Sequence, residues 1–171
     1  MVIVRNALAS AAEAILAFCQ QIGSETDNLS YGEEGVSVSV ADEGNLLSEV
    51  QKSKTSHFLV AEEAGEIVGT CNCSVFHKKR LAHRAEIGIT VKKAYWNQGI
   101  GRQLLTRLIA AAQQSDLKVL SLEVRSDNNR AIHLYESLGF QKIGTFKHFM
   151  EIDDQAIDFL ILWNYYWRKN D

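Results

Sequence analysis

Gly99 and Gly101 stand two residues apart in the stretch Trp96-Asn97-Gln98-Gly99-Ile100-Gly101-Arg102, where a β-like run gives way to a helical one. Backbone N–H groups of a glycine-bearing turn at a helix N-terminus point outward, and the aligned peptide dipoles add positive potential, so this turn suits a pyrophosphate. Glycine lets the backbone come close to such a ligand. The nucleotide loop G-x-x-x-x-G-K-S/T is absent. The dinucleotide pattern G-x-G-x-x-G fits poorly, because position 104 is leucine and seven residues, Lys92 to Gln98, separate Val91 from Gly99. His57, His77, His83, His133 and His148 show no ligand spacing such as H-E-x-x-H, and Cys71-x-Cys73 has no second pair at zinc-site distance, so no metal is expected. Cys19, Cys71 and Cys73 read as plain buried thiols.

The elements that must position this turn follow from periodicity and punctuation. Ser10 with Glu13 forms a capping-box signature for a helix ending at Gly23, a natural C′ residue. Ser39 and Asp42 cap a second helix through about Lys52. Residues 57–76 are dominated by β-branched and aromatic side chains around Ala64-Gly65, which predicts a hairpin. Residues 85–91 read as a strand, and the helix after the glycines carries Leu104, Leu105, Leu108, Ile109 and Ala112 on one face. A buried strand over 118–124, a helix over 128–138 ended by Gly139, and a final antiparallel pair over 140–166 complete the order, after a short first strand over 2–6. The expected architecture is a mixed α/β (α+β) domain over 1–171. It has a mostly antiparallel sheet flanked by helices, with one parallel pair joined by the helix that follows the glycines.

Composition bounds the classes. At 171 residues, 46% hydrophobic and 23% charged, the chain fits one globular domain with a real core. No apolar run approaches the roughly 20 residues of a bilayer span, and the N-terminus lacks a signal-peptide apolar region, so a soluble cytoplasmic protein is expected. Net charge is −3, but residues 6–51 hold eight acidic residues and no Lys or Arg, leaving 18 basic against 13 acidic residues elsewhere. The first part suits cations and the remainder an anion. His77 to Arg84 holds six basic or potentially basic residues and reads chiefly as a solvated turn. Nothing resembles the clustered footprint of a nucleic-acid binder.

Two motifs in order, each in a strand–helix context, resemble the GNAT superfamily of acetyl-CoA-dependent N-acetyltransferases. Gly99 and Gly101 match Q/R-x-x-G-x-G/A, and Asn128, Ala131, Leu134, Tyr135, Gly139 and Phe140 match N-x-x-A-x-x-L/F-Y-x-x-x-G-F. The resemblance covers roughly 85–144. Two positions depart from it: Trp96 stands where Gln or Arg is usual, and Lys93 where proline is common. The resemblance implies a GNAT-like fold and acetyl-CoA as co-substrate. Ile89, Thr90 and Val91 would offer backbone groups to the pantetheine arm. Trp96, Asn97, Gln98, Gly99, Ile100, Gly101 and Arg102 would wrap the pyrophosphate. Asn128, beside Ala131, would hydrogen-bond the arm or serve simply as a helix cap.

Acyl transfer to an amine needs a neutral nucleophile, a stabilised oxyanion and a proton or hydrogen bond for the departing thiolate. By resemblance Glu86 is the catalytic base, with a solvent-facing strand residue as its plain alternative. Tyr135 would approach the thioester sulfur, or be a core aromatic beside Ile132 and Leu138. A phenol pKa near ~10 against ~8.5 for a thiol favours a hydrogen bond over full proton donation. Strand N–H groups near Ile89 would receive the oxyanion, in direct transfer without an acyl-enzyme. The acidic segment between the first two helices favours a small cationic amine or amino-acid derivative as acceptor. Alternatives are a protein N-terminal or lysine acetyltransferase, a non-catalytic acyl-CoA-binding regulatory domain, and a module preferring NAD or ATP. Trp163, Tyr165, Tyr166 and Trp167 suit a homodimer interface or a large core strand.

Overall fold

The structure is a computed structural model and describes residues 1–166; Trp167 lies outside the described residues. In chain order its elements are β1 (Ile3–Asn6), α1 (Ala12–Glu25), α2 (Val40–Lys52), β2 (His57–Glu63), β3 (Glu66–Val75), β4 (Arg84–Val91), α3 (Ile100–Gln113), β5 (Val119–Arg125), α4 (Asn129–Ser137), β6 (Gln141–Ile152) and β7 (Gln155–Tyr165). They build one seven-stranded sheet of order β1-β2-β3-β4-β5-β7-β6. Every neighbouring pair is antiparallel except β4 with β5. The α3 crossover between those two strands gives the parallel pair expected from the sequence.

Strand alternation divides the core. On one face Leu59, Ala61, Cys71, Cys73, Ala85, Ile87, Leu120, Leu122 and Leu162 pack against Leu104, Leu105, Leu108 and Ala112 of α3 and against Tyr135 of α4. On the other, Val60 and Ile67 meet Ile15, Phe18, Ile22 and Leu47 of α1 and α2. Fully burying each such aliphatic side chain contributes about 1.5–3 kcal/mol.

The first helix departs from expectation at both ends. Ser10 lies in a short 3-10 turn, Ala9–Ala11, and α1 starts behind Ala11 with no side-chain cap. Gly23 does not end α1; it is buried within the helix, which runs on to Glu25. Its lack of a side chain serves packing, because a Cβ there would lie 1.7 Å from the carbonyl oxygen of Gly32 in the loop before α2. That loop therefore docks directly on the α1 backbone. Ser39 does cap α2, its hydroxyl accepting from the Asp42 N–H at 3.1 Å.

A candidate active site at the parting of β4 and β5

The two parallel strands pair over a short stretch, Arg84 with Val119, Ala85 with Leu120 and Glu86 with Ser121. Beyond Glu86 they part, while β4 stays paired to β3 as far as Val91 and β5 to β7 as far as Arg125. Alternation on β4 decides which backbone groups face the opening. Phe76 N–H donates to Arg84 C=O and Lys92 N–H to Val68 C=O, so the even-numbered residues of β4 are bonded to β3. Ile87, Ile89 and Val91 therefore turn their peptide groups toward the opening. Thr90 turns its backbone to β3, and its hydroxyl lies 2.9 Å from that of Thr70. Of the three strand residues expected to serve an amide-bearing ligand, Ile89 and Val91 have the right facing and Thr90 does not.

The turn after β4 delivers its backbone to the mouth of this opening. Gly99 has φ +80°, and a Cβ there would meet nothing within 4 Å. Asn97 also adopts a left-handed φ, +60°. The α3 ladder starts with Gln103 N–H donating to Gly99 C=O, so the amides of Ile100, Gly101 and Arg102 are the unsatisfied donors of the helix start. Gly101 has a different reason for lacking a side chain: a Cβ would lie 3.2 Å from Leu134 Cδ2 and 3.7 Å from Ile89 Cδ1. Trp96 folds back over the strand end, its indole N–H donating to Val91 C=O at 2.8 Å. Gln98 is tied by its side-chain amide to Ala94 C=O, and Arg102 donates to Ser137 Oγ on α4.

Across the opening, Asn128 caps α4, its Oδ1 accepting from Ala131 N–H at 3.3 Å. This is the capping role anticipated for it, and the cap leaves its Nδ2 donors outside the helix. Tyr135 is buried on the helical side of the sheet, edge-to-face with Phe140 at 5.8 Å. Burial raises its phenol pKa well above the ordinary tyrosine range, with the neighbouring Cys71 thiol adding to the shift, so the group keeps its proton at neutral pH. Asn164 of β7 donates to Leu138 C=O at 3.0 Å and fixes the end of α4 behind Tyr135.

On the opposite face of the sheet sit two carboxylates. Glu86 is exposed at the last paired position of β4, opposite Ser121. Glu123 follows Ser121 by two residues and shares its face; its side chain reaches solvent, and its carboxyl pKa is raised by partial burial and then by the Glu86 charge. Sequence reasoning named Glu86 and missed Glu123. Its signal was present: Glu123 is the one charged residue within Val119–Val124, a run apolar but for it and Ser121. The sheet thus carries a buried, protonated phenol on its helical face and two interacting carboxylates on the other.

The loop between α1 and α2 borders the carboxylate face. Two acidic side chains here hold backbone: Glu25, the last residue of α1, accepts from Lys93 N–H at 2.8 Å, tying α1 to the turn after β4, and Glu34 in the loop accepts from Gly32 N–H at 2.9 Å. The Asp27 carbonyl accepts from Arg125, which is paired to Asp127 at 2.7 Å. Among the described residues no group of three or more His, Cys, Asp and Glu side chains could hold a metal ion, and no helix is long and apolar enough to cross a membrane.

Comparison with known proteins supplies the family. N-alpha-acetyltransferase RimI of Mycobacterium tuberculosis is 34% identical over 100 residues, spanning 58% of this chain and 61% of that protein, somewhat under two thirds of its length. A putative ribosomal protein bS18-alanine N-acetyltransferase of Bacillus subtilis is 31% identical over 116 residues, 67% of this chain and 72% of that protein. The crystal structure of a GNAT-family acetyltransferase from Streptococcus pneumoniae superimposes with a TM-score of 0.94 at 29% identity, covering 97% of this chain and 100% of that one. The model of the acetyltransferase (GNAT) family matches residues 25–140, a span that takes in the parting strands, the glycine turn, Glu86, Glu123 and Tyr135. The chain belongs to the acetyltransferase (GNAT) family.

Proposed function

We propose that this protein transfers the acetyl group of acetyl-CoA directly to the α-amine of a polypeptide. The observation that carries the reading is the parting of β4 from β5, with unpaired backbone groups along its edges, free amides at the α3 start, a protonated phenol on one face and two carboxylates on the other. Acetyl-CoA is the co-substrate of the family, and the residues present fit it. The amides of Ile100 to Arg102 and the open turn at Gly99 suit its diphosphate, and the inward-facing peptide groups of Ile87 and Ile89 suit an amide-bearing arm. Bound there, it supplies an activated acyl group.

The chain's own residues do the rest. Glu123, whose raised pKa brings it closer to neutrality, accepts the proton of the incoming ammonium, and Glu86 adds the negative potential that draws that cation in. Peptide N–H groups around Ile89 stabilise the oxyanion, and the Tyr135 hydroxyl donates a hydrogen bond to the leaving sulfur. A peptidyl α-amine suits this apparatus better than an alkyl amine. Its ammonium has a pKa of about 7.7–8.0 against about 10.4 for lysine, so a carboxylate removes its proton much less uphill. The relatives' names point the same way. The case for a small cationic acceptor weakens, because Glu25 and Glu34 are occupied with backbone amides.

The test compares peptides with free N-terminal α-amines, the same peptides N-blocked but bearing lysine, and polyamines, following CoA release from acetyl-CoA. Turnover confined to free α-amines is expected; turnover with polyamines alone would overturn the acceptor, and none with any amine would overturn the transferase reading. A homodimer through the end of β7, where Tyr165 is exposed beside the half-buried Trp163 and Tyr166, stays a proposal, which a monomer in light scattering at micromolar concentration would end.

A further inference from the structure

The departure at position 96 puts a large neutral aromatic where a polar or cationic side chain is usual, beside a turn suited to two phosphate charges. The structure shows where a cation returns. The Arg130 guanidinium lies over the Trp96 ring, 4.1 Å from its centroid, and Lys93 approaches the same ring at 5.9 Å. The platform is anchored to β4, since the indole N–H is bonded to Val91 C=O. Arg130 comes from the other side, in the first turn of α4. Trp96 and Arg130 thus belong to the two lips of the opening between β4 and β5, and their contact spans its mouth.

Three features make Arg130 available to a ligand rather than to the fold. It is exposed, and it takes part in none of the ion pairs among the described residues. The acidic residue nearest in sequence, Asp127, is engaged by both Arg125 nitrogens at 2.7 and 3.1 Å. Stacking on the indole also restricts the planar fork of Arg130, which then loses less rotamer freedom on meeting an oxyanion pair.

We propose that Arg130, held on Trp96, is the principal side-chain ligand of the CoA diphosphate in this chain, supplying from α4 the side-chain contact that position 96 lacks. The inference rests on the acetyl-CoA reading above and adds to it a named binding residue. A charge-assisted bidentate contact of this kind corresponds to a loss of roughly 10- to 100-fold in affinity when removed.

Calorimetric titration of the full chain tests it, with wild type, Arg130→Ala and Arg130→Lys each titrated with CoA and with dephospho-CoA, which keeps the diphosphate and lacks the 3′-phosphate. Arg130→Ala is expected to weaken both ligands by that factor and to flatten the salt dependence of binding, while Arg130→Lys restores part of the loss. An unliganded melting midpoint equal to wild type would show that the loss is not one of folding. Affinity for CoA within twofold of wild type overturns the inference. So does a loss seen with CoA and absent with dephospho-CoA, which would assign Arg130 to the 3′-phosphate. Wild-type protein that binds neither ligand would instead bring down the acetyl-CoA reading itself.

Discussion

Tyr135→Phe separates the chemistry of the site from its packing. The ring is buried and edge-to-face with Phe140, and no side-chain hydrogen bond contributes to the upward shift of its phenol. Removing the hydroxyl leaves no protein group newly unsatisfied, so the stability change should stay below about 1 kcal/mol, or roughly 2–4 °C in melting midpoint for a chain of this length. The effect on rate is different. A hydrogen bond to a developing thiolate contributes about 1.5–3 kcal/mol, or roughly 10- to 150-fold in the acyl-transfer step. Full proton donation would reach roughly 10²–10⁴, but the raised pKa argues for the smaller range. The assay is single-turnover CoA release read with a thiol reagent. The protein's own background is limited, because Cys71 and Cys73 are buried and burial pushes the Cys73 thiol up to about 12. Cys19, only half-buried rather than buried as expected, has its thiol pKa raised by burial and is subtracted with a blank lacking acetyl-CoA. CoA affinity, measured separately, should be unchanged. A single-turnover rate within threefold of wild type would refute the placement of this hydroxyl at the sulfur.

The remaining predictions follow from the carboxylates and the glycines. Because Glu123 must be ionised to accept a proton and its pKa is raised, wild-type kcat/KM should climb with pH through that raised value, and Glu123→Gln should lose this limb with a fall of roughly 10²–10⁴. Glu86→Gln removes a like charge, so the same limb should move to lower pH; burial, the larger cause of the shift, stays and keeps part of it, and an unmoved limb would show that the two carboxylates do not interact. Gly23→Ala forces the Gly32 carbonyl away, costing about 1–3 kcal/mol and raising KM for the peptide acceptor more than for acetyl-CoA; an unchanged acceptor KM would remove the 26–39 loop from the acceptor site. Gly99→Ala strains a left-handed turn by about 1–2 kcal/mol with open space around it, so it should weaken CoA binding and spare kcat. Gly101→Ala pushes Leu134, next to Tyr135, and should lower kcat more than affinity; the reverse pattern for the pair would refute the division of labour.

Much of the fold was legible because it is written in faces. The hairpin of β2 and β3, the apolar stripe of α3 and the Ser39 cap follow from local periodicity and turn chemistry, and each stands where expected. Gly23 misled for a physical reason. A glycine near a helix end reads as a left-handed terminator, whereas here the missing side chain admits another backbone from nine residues further along the chain. Close approach between distant segments leaves no periodic trace.

The site was less legible for a related reason. Alternation tells which face of a sheet a side chain occupies, but it is silent on whether the backbone along that strand's edge is paired. Glu86 and Glu123 become neighbours because the ladder between β4 and β5 stops at Glu86 and Ser121, which is a property of edges. Thr90 failed as a strand donor on the same ground: its type and position suit the role, yet the register with β3 spends its peptide groups on Thr70's strand. The opening is kept by contacts made on both its lips. On one side Trp96 takes the Val91 carbonyl, and on the other Asn128 and Asn164 pin the two ends of α4. Leu134 then reaches across to the Gly101 backbone beside Ile89. The absent side chain at Gly101 lets α4 lean that close, and so seats Tyr135 against the helical face of a sheet whose other face carries the carboxylates. A motif scan finds the glycine; its purpose becomes visible only when three elements meet at it.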